Sequence, residues 1–92
     1  MKIRIKAFAQ FKDTIGSERT LDIPNGSNIG TFLEILKAES ENTEKTLFEN
    51  DGSLRAYVIL MINGKRVERK AIHETDLHEG DEIALLPPVA GG

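Results

Sequence analysis

Gly91 and Gly92 close the sequence behind Pro87-Pro88-Val89-Ala90, and no other stretch is as well suited to chemistry. The stretch ends in a carboxylate with no side chain beside it. Its last two residues therefore fit a tunnel only as wide as a backbone. Pro87 and Pro88 stop a sheet ladder, because proline has no N–H to donate and a fixed φ. They also favour an extended, polyproline-like path. Six residues so extended reach roughly 20 Å beyond the last strand. The plain alternatives are a frayed chain end or an expression remnant.

Little else in the chain suits catalysis. There are no cysteines, which excludes a disulfide framework, a Cys-bearing metal site and a thiol nucleophile. Any sulfur handled here sits on something other than a cysteine side chain. His73 and His78 lie five apart in a polar turn region, which is neither one helix face nor a zinc spacing. They read as surface histidines, and no metal site is expected. No glycine-rich phosphate loop is present. Nothing on this chain argues for self-contained catalysis.

Ninety-two residues at 39% hydrophobic content make one small globular domain. The net charge is −3 and the two signs are interleaved, so nucleic acid is not an expected partner. No apolar run approaches a membrane span, and the N-terminus lacks a signal-peptide core. A cytoplasmic location is the expectation.

The elements that position the tail follow from periodicity. Lys2 to Ala7 alternates as a half-buried strand, with Ile3, Ile5 and Ala7 inward. Phe11 and Ile15 sit four apart, helix-like, with Gly16 to end the turn. Arg19 to Ile23 alternates again and completes a hairpin. Asn28 or Ser27 caps a helix whose stripe is Ile29, Phe32, Leu33 and Leu36. Ser40 to Ala56 reads as a loop with at most a short helical piece, anchored by Leu47 and Phe48. Tyr57 to Ile62 is the third strand, ended by the Asn63-Gly64 hairpin turn. Val67 and Ile72 belong to the return segment, and Ile83 to Leu86 forms the last strand. The fold class is α+β: a mixed sheet of about five strands, with one main helix across one face. The right-handed crossover places the first and last strands side by side as a parallel centre. Residues 1–86 form the domain and 87–92 the extended tail.

One irregularity in the alternation carries information. Val58, Leu60, Ile62, Ile83 and Leu85 face the helix. Phe8, Ile59, Met61, Ala84 and Leu86 then fall on the opposite face, where a sheet covered on one side only should be polar. They predict an apolar patch at the root of the tail, rimmed by Lys6. A partner covers such a patch, unless the 40–56 segment folds over part of it.

The run Ile62-Asn63-Gly64-Lys65-Arg66-Val67, then Leu77-His78-Glu79-Gly80-Asp81-Glu82-Ile83, and the ending Leu86-Pro87-Pro88-Val89-Ala90-Gly91-Gly92 resemble the ubiquitin-like sulfur carriers of the MoaD/ThiS type. The small subunit of molybdopterin synthase is the nearest likeness. Phe8-Ala9-Gln10-Phe11 and Gly16 also fit, and the longer 40–56 segment is similar to the archaeal-type branch. The resemblance implies a ubiquitin-like β-grasp fold. It implies that Gly92 is adenylated by a MoeB/ThiF-type activating enzyme using ATP, with no permanently bound cofactor. Sulfur from a donor then converts the adenylate to a thiocarboxylate. The tail, Pro87 to Gly92, enters a MoaE-like large subunit and delivers sulfur to build the dithiolene of molybdopterin. The alternative is a protein modifier joined through Gly92 to lysines, as in small archaeal modifiers. A sulfur carrier for tRNA thiolation or thiamine synthesis is a further one.

Overall fold

The computed structural model describes residues 1–88. Alternation builds the first hairpin. β1 (Lys2–Ala7) buries Ile3, Ile5 and Ala7 and leaves Lys2 and Arg4 exposed. β2 (Glu18–Asp22) runs antiparallel to it, with Ile3 opposite Leu21. Between them α1 (Phe11–Ile15) buries Phe11 and Ile15, and Gly16 ends it at φ 98°.

α2 (Ile29–Lys37) buries the whole predicted stripe of Ile29, Phe32, Leu33 and Leu36. Asn28 is its cap, since the Asn28 side chain accepts the Thr31 N–H at 2.9 Å. β3 (Ile59–Ile62) and β4 (Lys65–Arg66) flank the Asn63-Gly64 turn, whose φ values of 48° and 83° are both left-handed, as a two-residue hairpin requires. A 3₁₀ turn, Arg69–Ala71, leads toward β5 (Glu82–Leu86). The sheet order is β2-β1-β5-β3-β4. β1 and β5 are parallel, and the other pairs are antiparallel. The last strand is therefore the middle one, and the chain leaves the sheet from its centre.

The 40–56 segment holds the short helical piece expected of it, and the third strand differs from expectation. Within Ser40–Ala56 there is a seven-residue helix, α3 (Glu41–Leu47), capped by the Ser40 hydroxyl accepting from Thr43 N–H at 3.0 Å. Leu47 and Phe48 are buried anchors, as expected. α3 packs against α1 and α2 and joins the core on the helix side, so it does not cover the outer face of the sheet. The third strand is shorter than Tyr57–Ile62 and starts at Ile59. The Arg69 guanidinium explains why. It donates to the carbonyls of Leu54 at 2.9 Å, Arg55 at 2.6 Å and Val58 at 3.1 Å. Those carbonyls are thereby held in a turn, with Val58 N–H closing onto Arg55 O at 3.0 Å. Tyr57 is left exposed instead of laddered.

Candidate partner-docking face at the root of the tail

Register brings the outward residues together. Lys6 and Ala84 are opposite one another across β1 and β5. Ala84 is opposite Met61 across β5 and β3, and Met61 is opposite Arg66 across β3 and β4. One rung nearer the tail, Leu86 pairs with Ile59. Phe8 N–H donates to Leu85 O at 3.1 Å, which extends the β1–β5 pairing and sets Phe8 beside Leu86. Phe8 is 42% exposed, and Ile59, Met61, Ala84 and Leu86 are half-buried. All five outward apolar residues thus share one face, on three adjacent strands. Pro87 is half-buried and Pro88 exposed. Val89, Ala90, Gly91 and Gly92 lie outside the described residues.

The rung farther from the tail is charged. Arg4 donates to Glu18 at 2.7 Å, and Glu82 lies 3.6 Å from Arg4 and 3.5 Å from Lys6. The hydrogen bond from Arg4 is the main reason the Glu18 carboxyl is held below the usual glutamate range. The same bond raises the Arg4 guanidinium. One half of the outer face is therefore a self-neutralised charge ladder, and the other half is apolar. Lys6 stands on the border, and its charge is already shared with Glu82.

Arg66 was not anticipated on this face. Among the described residues it has no ion-pair partner, and it borders Met61 on the side away from Lys6. A two-residue turn at Asn63-Gly64 fixes this register, so the signal was present in the sequence. The hairpin is itself tied to the start of β5: Asn63 Nδ2 donates to Asp81 Oδ1 at 2.9 Å, and Asn63 Oδ1 accepts from Glu82 N–H at 2.9 Å.

Other features point less clearly to function. A groove of about 420 Å³ at the β3–β4 edge is lined by Val58, Leu60, Val67 and Ile72, among others. Arg69 in its wall is committed to the three carbonyls above. His73 and His78 are exposed. Among the described residues no three His, Asp or Glu side chains gather as metal ligands would, and no helix is long and apolar enough to cross a membrane.

A mixed sheet crossed by one main helix, with the chain's end issuing from its middle strand, is the ubiquitin-like β-grasp architecture. Residues 5–92 match the ThiS family, and the chain belongs to that family. Small archaeal modifier protein 3 of Haloferax volcanii is 30% identical over 93 residues, covering 100% of both chains. The molybdopterin synthase sulfur carrier subunit of Arabidopsis thaliana is 27% identical over 93 residues, covering 100% of this chain and 84% of that one. The crystal structure of SAMP1 from Haloferax volcanii matches with a TM-score of 0.84 at 28% identity, covering all of both chains.

Proposed function

We propose that this chain is a sulfur carrier acting through its last residue, Gly92. The observation that carries this reading is the exit of β5 from the middle of the sheet at Leu86, beside the apolar residues Phe8, Ile59 and Met61. A partner gripping that face holds the root of the tail while the final glycines thread into its active site. The chemistry suits a carboxylate. One of its oxygens attacks the α-phosphorus of ATP, pyrophosphate leaves, and the acyl carbon becomes electrophilic. The outer sulfur of a donor persulfide then attacks the acyl carbon and AMP leaves. A thiol reductant cleaves the resulting acyl disulfide, releasing the thiocarboxylate and a disulfide on the donor side. No step needs a cysteine on this chain, and the acids and bases belong to a MoeB/ThiF-type activating enzyme. The thiocarboxylate, a softer nucleophile than the carboxylate, delivers sulfur within a MoaE-like large subunit toward the dithiolene of molybdopterin.

A second reading rests on the full-length likeness to a small archaeal modifier. The same Gly92 adenylate would then be passed to a lysine amine, forming an isopeptide bond. The two readings share activation and differ in the nucleophile. Intact-mass measurement after incubation with activating enzyme, ATP and a sulfur donor separates them. A carrier gains the mass of sulfur for oxygen on the free protein. A modifier gives Gly92-dependent higher-mass conjugates without that product.

A further inference from the structure

We infer that Arg66 is a specificity-determining residue of the docking face, and that the surface seated there is the activating enzyme's, with a carboxylate side chain set against the guanidinium. This rests on the docking reading above and adds the chemistry of the partner. The outer face balances nearly all of its charge internally. On β1, Lys2 lies 3.3 Å from Asp22, Arg4 2.7 Å from Glu18 and Lys6 3.5 Å from Glu82. The β1–β2 register puts Asp22 and Glu18 on the same face as those cations. Three cations thus meet three carboxylates. Arg66 is a fourth cation, and among the described residues it has no ion-pair partner. Glu68, two residues along, lies 3.7 Å from Lys70 instead. Arg66 is exposed and stands opposite Met61, so its charge borders the apolar patch.

The occupant follows from the tail and from charge. Residues 87–92 span at most about 20 Å. They start from Leu86, which pairs with Ile59 one rung from Met61. An enzyme that takes the Gly92 carboxylate into its active site therefore has its surface within that reach of the patch. Activation is the step that the carrier and modifier readings share, so the activating enzyme is the partner both require. Closing an apolar surface over Phe8, Ile59, Met61 and Leu86 strips water from the guanidinium beside them. An unpaired charge without water opposes association. A carboxylate removes that penalty, because its two oxygens accept parallel N–H donors from the guanidinium fork. The chain as a whole carries −3, so the attraction for an acidic group is local to this rung. Lys6, at the opposite border, already shares Glu82 and makes a weaker demand.

Calorimetric titration of the full chain with its cognate activating enzyme tests this. Arg66→Gln should weaken binding about tenfold or more, as truncating one partner of a desolvated charge pair does. Arg66→Glu should weaken it further through like-charge repulsion. Arg66→Lys keeps the charge without the fork and should fall between wild type and Arg66→Gln. Lys65→Gln removes the same charge one residue away, on the other face of β4, and should bind as wild type does. Added salt should weaken wild type more than Arg66→Gln. Melting temperatures should not change, since neither side chain holds an ion pair among the described residues. The inference is overturned if Arg66→Gln binds as tightly as wild type, if Lys65→Gln loses as much, or if salt weakens wild type and Arg66→Gln equally, the sign of a neutral acceptor. If Met61→Asp still weakens binding in those cases, the docking reading stands. If Met61→Asp also binds as wild type does, the docking reading falls too. Failure of the full chain to bind at all removes both.

Discussion

Met61 and Ala84 face each other across the β3–β5 pair, on the side of the sheet that none of the described helices covers. Their neighbours Leu60 and Leu85, one residue along each strand, are buried on the other side. The same two strands therefore serve the core with one face and leave the other open to the partner proposed above. Met61→Asp should weaken binding to the activating enzyme or the large subunit strongly, because it places a charge in a dry interface. It should barely shift the melting curve, because the charge is in water when the protein is free. Unchanged affinity for both partners would remove the interface assignment, and a collapsed melting curve would make Met61 a core residue.

The inner face supplies the opposite behaviour. Leu33 and Leu60 are 5% and 3% exposed and pack in the single core cluster. Leu33→Ala or Leu60→Ala should cost about 2–5 kcal/mol as buried truncations. Urea denaturation measures this directly, and stabilities within error of wild type would contradict the packing described.

These two faces were legible in the sequence, and the reason is periodic. Ile3-Ile5-Ala7, Leu60-Ile62 and Ile83-Leu85 alternate cleanly, and the helix stripe from Ile29 to Leu36 has a capping Asn28 in front of it. α3 was less visible because only Thr43 and Leu47 of its seven residues are buried, too few to set a period. Ser40 as a capping residue was the available sign. The early end of the third strand was not legible at all. It depends on the Arg69 guanidinium collecting carbonyls 11 to 15 residues upstream, which no local pattern announces.

That clamp yields its own expectation. Arg69→Met keeps the stem but removes all three donors. It should destabilise the protein by about 1–2 kcal/mol, the low end for charged hydrogen bonds because the residue is partly solvated. Amide hydrogen exchange should rise most at Val58, whose N–H closes the turn onto Arg55 O. Exchange unchanged at that amide would mean the guanidinium does not hold the turn.

Glu18 gives a pH signature. Its folded-state pKa is lowered, chiefly by the Arg4 hydrogen bond. A lowered carboxyl contributes stability above its unfolded value and loses it as pH falls through the folded one. The contribution is small, since both side chains are about half exposed. NMR titration should find the Glu18 midpoint below that of an ordinary glutamate, and Arg4→Gln should move it back up. A midpoint insensitive to Arg4→Gln would show that the pair is not formed in solution.

The central claim is that Gly92 is activated as an acyl adenylate, and ATP–pyrophosphate exchange with the cognate activating enzyme tests it most directly. The full chain should support exchange. Deleting Gly91 and Gly92 should abolish it while leaving the melting temperature nearly unchanged, because the buried core among the described residues ends at Leu85. Exchange that survives the deletion would contradict both the carrier and the modifier readings.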